Sequence, residues 1–125
     1  MKRDLDLIRS ILITAEESDG PVGFRTLLEC EPDASKLAYH VELMRSRGLI
    51  EAIVKYDGLA RSPLNVEVSS VTWDGYDYLD AIRSPKVWEK AKEAVSAAVG
   101  EASISVMKDT CQAVARSMIT SYLGM

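Results

Sequence analysis

His40 is the only histidine in the chain, set in the run Leu37-Ala-Tyr-His-Val41. One imidazole works as a base or a metal ligand only with a nucleophile or further ligands held beside it. None stands at motif spacing, so His40 is expected to be partly buried and hydrogen-bonded to backbone. Asp74, Asp77 and Asp80 recur every three residues, with Arg83 following. Three carboxylates so placed could gather a hard cation through oxygen. The loop geometry of such sites is missing, and acids near a helix N-terminus are favoured by its dipole. A solvated or partner-facing acidic face is therefore expected. Cys30 and Cys111 stand far apart, without the spacing of a disulfide framework or a metal knuckle. Buried free thiols in a reducing cytoplasm fit them. The seven glycines are scattered and build no phosphate-cradling loop. The chain thus reads as a non-enzyme without catalytic, cofactor-binding or metal-ligating residues.

The elements that would carry these groups follow from periodicity. Leu5, Ile8, Leu12 and Ala15 recur at helical spacing, supported by Leu7 and Ile11, with Asp4 as N-cap and Ser18-Asp-Gly-Pro21 as the stop. Residues 22–30 are ambiguous. Phe24, Leu27 and Leu28 suit the first helix of a helix-turn-helix, whereas Val22, Phe24 and Thr26 alternate as in an edge strand, the assignment favoured here. Asp33 can cap a helix over 34–47 with Leu37, Val41 and Met44 inward, and Gly48 at its C-terminal end. A strand reaches about Tyr56, Asp57-Gly58 turns, and Val66, Val68 and Val71 mark the return, with Asn65, Glu67 and Ser69 toward solvent. Thr72 caps a helix to about Arg83. Ser84-Pro85 starts another, burying Val87, Trp88, Ala91, Val95 and Ala98, and Gly100 ends it.

The last helix runs from Ser103 to about Leu123. Ile104, Met107, Cys111, Val114, Met118 and Tyr122 alternate in steps of three and four, close to the 3.5 period of helix–helix packing. Val106, Ala113, Ala115 and Ile119 add apolar surface beside that seam. A helix so apolar needs a cover, either its own chain or a second copy, and the expectation adopted is a homo-oligomer through those six residues. Together the elements predict an α+β fold: a winged-helix-like domain over 1–83, then a C-terminal helical hairpin over 84–125.

Composition limits the partners. Lys and Arg number 15 against 19 Asp and Glu, a net charge of −4. Nucleic-acid binders usually offer a basic surface, because neutralising phosphate supplies much of their affinity. Residues 49–83 carry three basic side chains, Lys55, Arg61 and Arg83, against six acidic ones. For DNA, Ser35, Lys36 and Tyr39 would face the groove, Arg45 and Arg47 the backbone, and Arg61 the minor groove from the wing, with Glu42 opposing. For a protein partner, Tyr39 and Tyr56 are candidate contacts, while Trp73, Tyr76 and Trp88 are expected in the core. A protein partner is favoured and DNA is the alternative. No stretch is apolar enough to span a bilayer and no signal-peptide pattern opens the chain, so a cytoplasmic location is expected.

Several segments together resemble a domain-of-unknown-function family of small proteins carried mainly by phages and prophages. They are Met1-Lys-Arg-Asp-Leu-Asp-Leu-Ile-Arg9, Leu37-Ala-Tyr-His40, Gly48-Leu-Ile50, Thr72-Trp-Asp-Gly-Tyr-Asp-Tyr-Leu-Asp-Ala-Ile-Arg83, Val87-Trp88 and Ala102-Ser-Ile-Ser-Val-Met-Lys108. The resemblance implies a phage or mobile-element origin, a bacterial host cell and a winged-helix-like core. It implies no activity and transfers no catalytic residue. Glu101 stands where the resemblance leads one to expect glycine, which implies a stiffer hinge before the last helix.

Overall fold

Asp4 opens α1 (Leu5–Glu17) as an N-cap, its carboxylate accepting the Leu7 N–H. That pairs one of the donors a helix start leaves open and sets a negative charge at the positive end of the dipole. The computed structural model describes residues 1–59, 61–100 and 102–124; Glu101 lies outside them. Among the described residues the chain is mixed α+β, with six helices and a two-stranded antiparallel sheet. It divides into two compact units, Met1–Asp77 and Tyr78–Met125, and the division falls within α4 (Trp73–Ile82). No helix among the described residues is long and apolar enough to cross a membrane.

The first unit holds α1, α2 (Phe24–Cys30), α3 (Ala34–Arg47), β1 (Ile50–Tyr56), β2 (Pro63–Val71) and the start of α4. α1 buries Leu7, Ile8, Ile11 and Leu12, while Leu5 and Ala15 are half-buried. Residues 24–30 are helix, which corrects the strand expected there. Only Val22 pairs as a strand, exchanging both backbone hydrogen bonds with Val68 at 2.8 and 3.0 Å. Gly23 then caps α2 in an extended conformation. Alternation over 22–26 is the same in either structure; the spacing of Phe24, Leu27 and Leu28, with Leu27 fully buried, decides for helix. α3 is capped as expected, Asp33 accepting from the Ser35 and Lys36 N–H groups, and Gly48 ends it at φ 83°.

β1 and β2 pair antiparallel, with irregularities between Glu51 and Ala52 and between Lys55 and Tyr56. The register leaves Ser69 and Leu64 as the extra residues of β2 at these two places. Each bulge shifts the side-chain alternation. Val66 and Val68 point inward as expected, but Ser69 is half-buried and Leu64 is exposed. Thr72 joins the hairpin back to α3. Its hydroxyl donates to the Gly48 carbonyl and accepts the Gly75 N–H, and its own N–H donates to the Leu49 carbonyl at 3.0 Å.

The second unit holds the end of α4, α5 (Pro85–Ala98) and α6 (Ile104–Tyr122). Ser84 and Ser103 cap the last two helices, each hydroxyl accepting the N–H three residues on. α5 and α6 pack together, and Trp88, Ala91, Val95, Met107 and Cys111 are buried. Ala98 is exposed instead of buried. Trp73 and Tyr76 also depart from expectation: Trp73 is 82% exposed and Tyr76 is 42% exposed. Gly75, Tyr78, Leu79 and Ile82 take the inner face of α4, leaving Trp73, Tyr76, Asp77 and Asp80 outward.

Candidate interaction surface

Lys36 sits in the first turn of α3, where the Asp33 cap turns its backbone inward. Its ammonium lies 3.0 Å from an Asp4 carboxylate oxygen and 3.0 Å from one of Glu31. The N-cap of α1, the C-cap of α2 and α3 thus meet on one cation. One turn on, His40 is fully buried and bonded to backbone on both nitrogens. Its Nε2 accepts the Asp4 N–H at 2.8 Å, which obliges Nδ1 to carry the proton and donate to the Lys36 carbonyl, also at 2.8 Å. The lone imidazole is therefore a structural tie that holds the start of α1 onto α3.

Burial works against ionisation of Asp4, but the Lys36 hydrogen bond and the Leu7 N–H outweigh it, and the carboxyl lies below its ordinary value. Hydrogen bonds to Glu31 and Asp4 hold the Lys36 ammonium above its ordinary value. A depressed carboxyl contributes stability above its unfolded value and loses it as pH falls through the folded one. Asp4→Asn should therefore cost under about 1 kcal/mol near neutral pH, since Asp4 is partly solvent-screened. The stability gap to wild type should shrink as the pH drops below the ordinary carboxylate range. Urea midpoints measured across that range check it; a gap independent of pH would assign the cost to packing.

Ser35 is exposed beside Lys36, and the Tyr39 ring, 37% exposed, stands edge-on to His40 with centroids 5.6 Å apart. Further along α3, Glu42 faces the Tyr56 phenol; burial first, then this carboxylate, raises the phenol above its ordinary value. Arg45 and Arg47 are exposed in the last turn. Arg61 lies in the hairpin loop, exposed, at φ 54°. α3 therefore gathers Ser35, Lys36 and Tyr39 at one end and both arginines at the other, with a carboxylate between them.

The hairpin tip carries apolar contacts that periodicity did not mark. Leu59 is 99% exposed, held in the turn by its N–H to the Asp57 carboxylate. Leu64 and Tyr56 stand on the strand ends beside it, both exposed. Leu59 follows Asp57-Gly58 directly, and that placement is the one trace the sequence offers. Ile53, on the outer face of β1, and Trp73 extend the exposed apolar surface of this unit. Asp80 pairs with Arg83 at 2.9 Å, and no cluster of three His, Cys, Asp or Glu able to hold a metal occurs among the described residues.

In α6, Met107 and Cys111 are covered within the chain, Ile104, Val114 and Met118 are half-buried, and Tyr122 is 90% exposed. The six seam residues therefore share one face but divide in exposure along the helix. Nearby, the Tyr78 hydroxyl is buried without a hydrogen-bond partner among the described residues; burial, with a smaller effect from Cys111, raises it well above its ordinary value.

No solved structure matches the chain. An uncharacterized protein of Haemophilus influenzae (strain ATCC 51907 / DSM 11121 / KW20 / Rd) is 32% identical over 128 residues, covering 95% of this chain and 99% of that protein. A family model described as a hypothetical protein, DUF2513, matches residues 2–101. The match takes in the Asp4 cap, the His40 tie between Asp4 and Lys36 and the Thr72–Gly75 junction, and on it the chain belongs to the DUF2513 family.

Proposed function

We propose that this chain is a non-enzymatic interaction module that self-associates through its C-terminal helix and binds a protein partner with its N-terminal part. Residues 1–83 form a winged-helix-like domain in this proposal, and 84–125 a helical hairpin. The order of helix, Val22 strand pair, two helices and antiparallel hairpin supports the first assignment. The short connection between the packed helices α5 and α6 supports the second. A host regulator, a host defence component or another phage protein fits the partner, given the phage resemblance.

The observation that carries the preference for protein over DNA is Lys36. It is the basic side chain in the first turn of α3, and two carboxylates already hold it. A cation so paired offers phosphate little net attraction. The hairpin tip, where a DNA-gripping wing would present cations, presents Leu59, Leu64 and Tyr56 beside the single Arg61. Exposed aromatic and aliphatic groups are what protein interfaces bury at their centres.

Tagged protein should capture a partner from infected host extract. Leu59→Asp with Leu64→Asp should reduce that capture at least about tenfold while leaving the fold intact, because both side chains are exposed. Undiminished capture would move the contact elsewhere. The second reading, a DNA-binding regulator, draws on the exposed Arg45 and Arg47. Sub-micromolar binding of labelled DNA at low salt, abolished by Arg45→Glu with Arg47→Glu, would reverse the ranking.

A further inference from the structure

The face of α6 that points away from Met107 and Cys111 has a charge order of its own. At about 3.6 residues per turn it carries Val106, Asp109, Ala113, Arg116 and Thr120, with Leu123 following at the C-cap, and all six are exposed. Its two charges are opposite in sign and placed toward opposite ends of the helix. Neither the Asp109 carboxylate nor the Arg116 guanidinium has an ion-pair or hydrogen-bond partner among the described residues.

We infer that this face pairs with the same face of a second copy of the chain, the two α6 helices running antiparallel. A two-fold axis passing between Gln112 and Ala113 sets Asp109 opposite the partner's Arg116, and by symmetry does so twice. A surface that is its own complement under a two-fold rotation is what an isologous dimer requires. Parallel pairing would set acid on acid and base on base, so the charge order also fixes direction. Ala113 is small, which lets the helices approach where the axis crosses. Val106 and Leu123, near the two ends, with Ile119 at the border, leave water on pairing and supply the attraction. The inference rests on the self-association proposed above but moves the contact to the outward face, since part of the seam is already covered.

The test is a set of charge exchanges at exposed positions, read by sedimentation velocity over a concentration series. Wild type should dimerise. Asp109→Arg and Arg116→Asp should each weaken the dimer about tenfold or more, because two attractive contacts become two repulsive ones. The double exchange D109R/R116D should restore it. An equimolar mixture of the two single variants should form a heterodimer, since every facing pair in it is again opposite in charge. A wild type that is monomeric throughout would overturn both this pairing and the self-association proposed above. A wild-type dimer whose single variants dimerise equally well would overturn this pairing alone.

Discussion

Gly75→Ala should destabilise the first unit by about 3 kcal/mol or more, the opposite of what a helix interior leads one to expect. An alanine inside a helix ordinarily gains up to about 1 kcal/mol over glycine. Here the added Cβ would lie 2.0 Å from the Leu49 carbonyl oxygen and 2.8 Å from Val71 Cγ1. The nearest atom is backbone, and it cannot swing aside as a side chain would. That same carbonyl accepts the Thr72 N–H, while the Thr72 hydroxyl binds Gly48 and Gly75. Moving Leu49 away therefore disturbs the junction that joins the end of α3 to the start of α4. Overpacking of this kind typically costs about 1–3 kcal/mol even where side chains can yield. Gly58→Ala is the control, because no atom of the described residues lies within 4 Å of its Cβ position. Its urea midpoint should stay within about 0.5 kcal/mol of wild type. Equal midpoints for both variants would mean that α4 shifts freely on the sheet.

His40→Ala should cost about 3 kcal/mol. Two losses combine. A fully buried ring is removed from between α1 and α3, which leaves a cavity. The Asp4 N–H loses its acceptor at the same time, while the Lys36 carbonyl loses the ring N–H and keeps its place in the helix ladder. The Asp4 amide should then exchange with solvent far faster than in wild type, while amides in the second unit keep their rates. Hydrogen exchange followed by NMR separates this local release from general unfolding. A variant with unchanged stability and an Asp4 amide still protected would show that the imidazole is a bystander.

Local chemistry made much of the chain legible. Asp4, Asp33 and Ser84 each cap the helix they precede, because a short polar side chain before an apolar periodic run has few better uses. Leu37, Val41 and Met44 are buried as their spacing requires. His40 is tied to backbone, as a histidine without companion ligands should be. Residues 22–30 defeat the periodicity argument because one strand pair at Val22 and a short helix after Gly23 share the apolar residues that both patterns use. Hydrophobicity alone places Trp73 and Tyr76 inside, yet α4 has one inner face, and Gly75, Tyr78, Leu79 and Ile82 occupy it.

Sequence by itself determined where α1 and α3 to α6 begin and end to within a residue, and the inward stripes of α1 and α3. These are properties of neighbours within a few residues, governed by hydrogen bonding and side-chain periodicity. Tertiary structure alone decided that Lys36 is held by Asp4 and Glu31, 32 and five residues away in sequence, and so lacks a free positive charge. It alone decided that Leu64 bulges outward and that Gly75 has no room for a methyl group. Those outcomes depend on which distant backbone and side-chain atoms come to lie within a few ångströms of one another, a matter of packing that spacing along the chain does not encode.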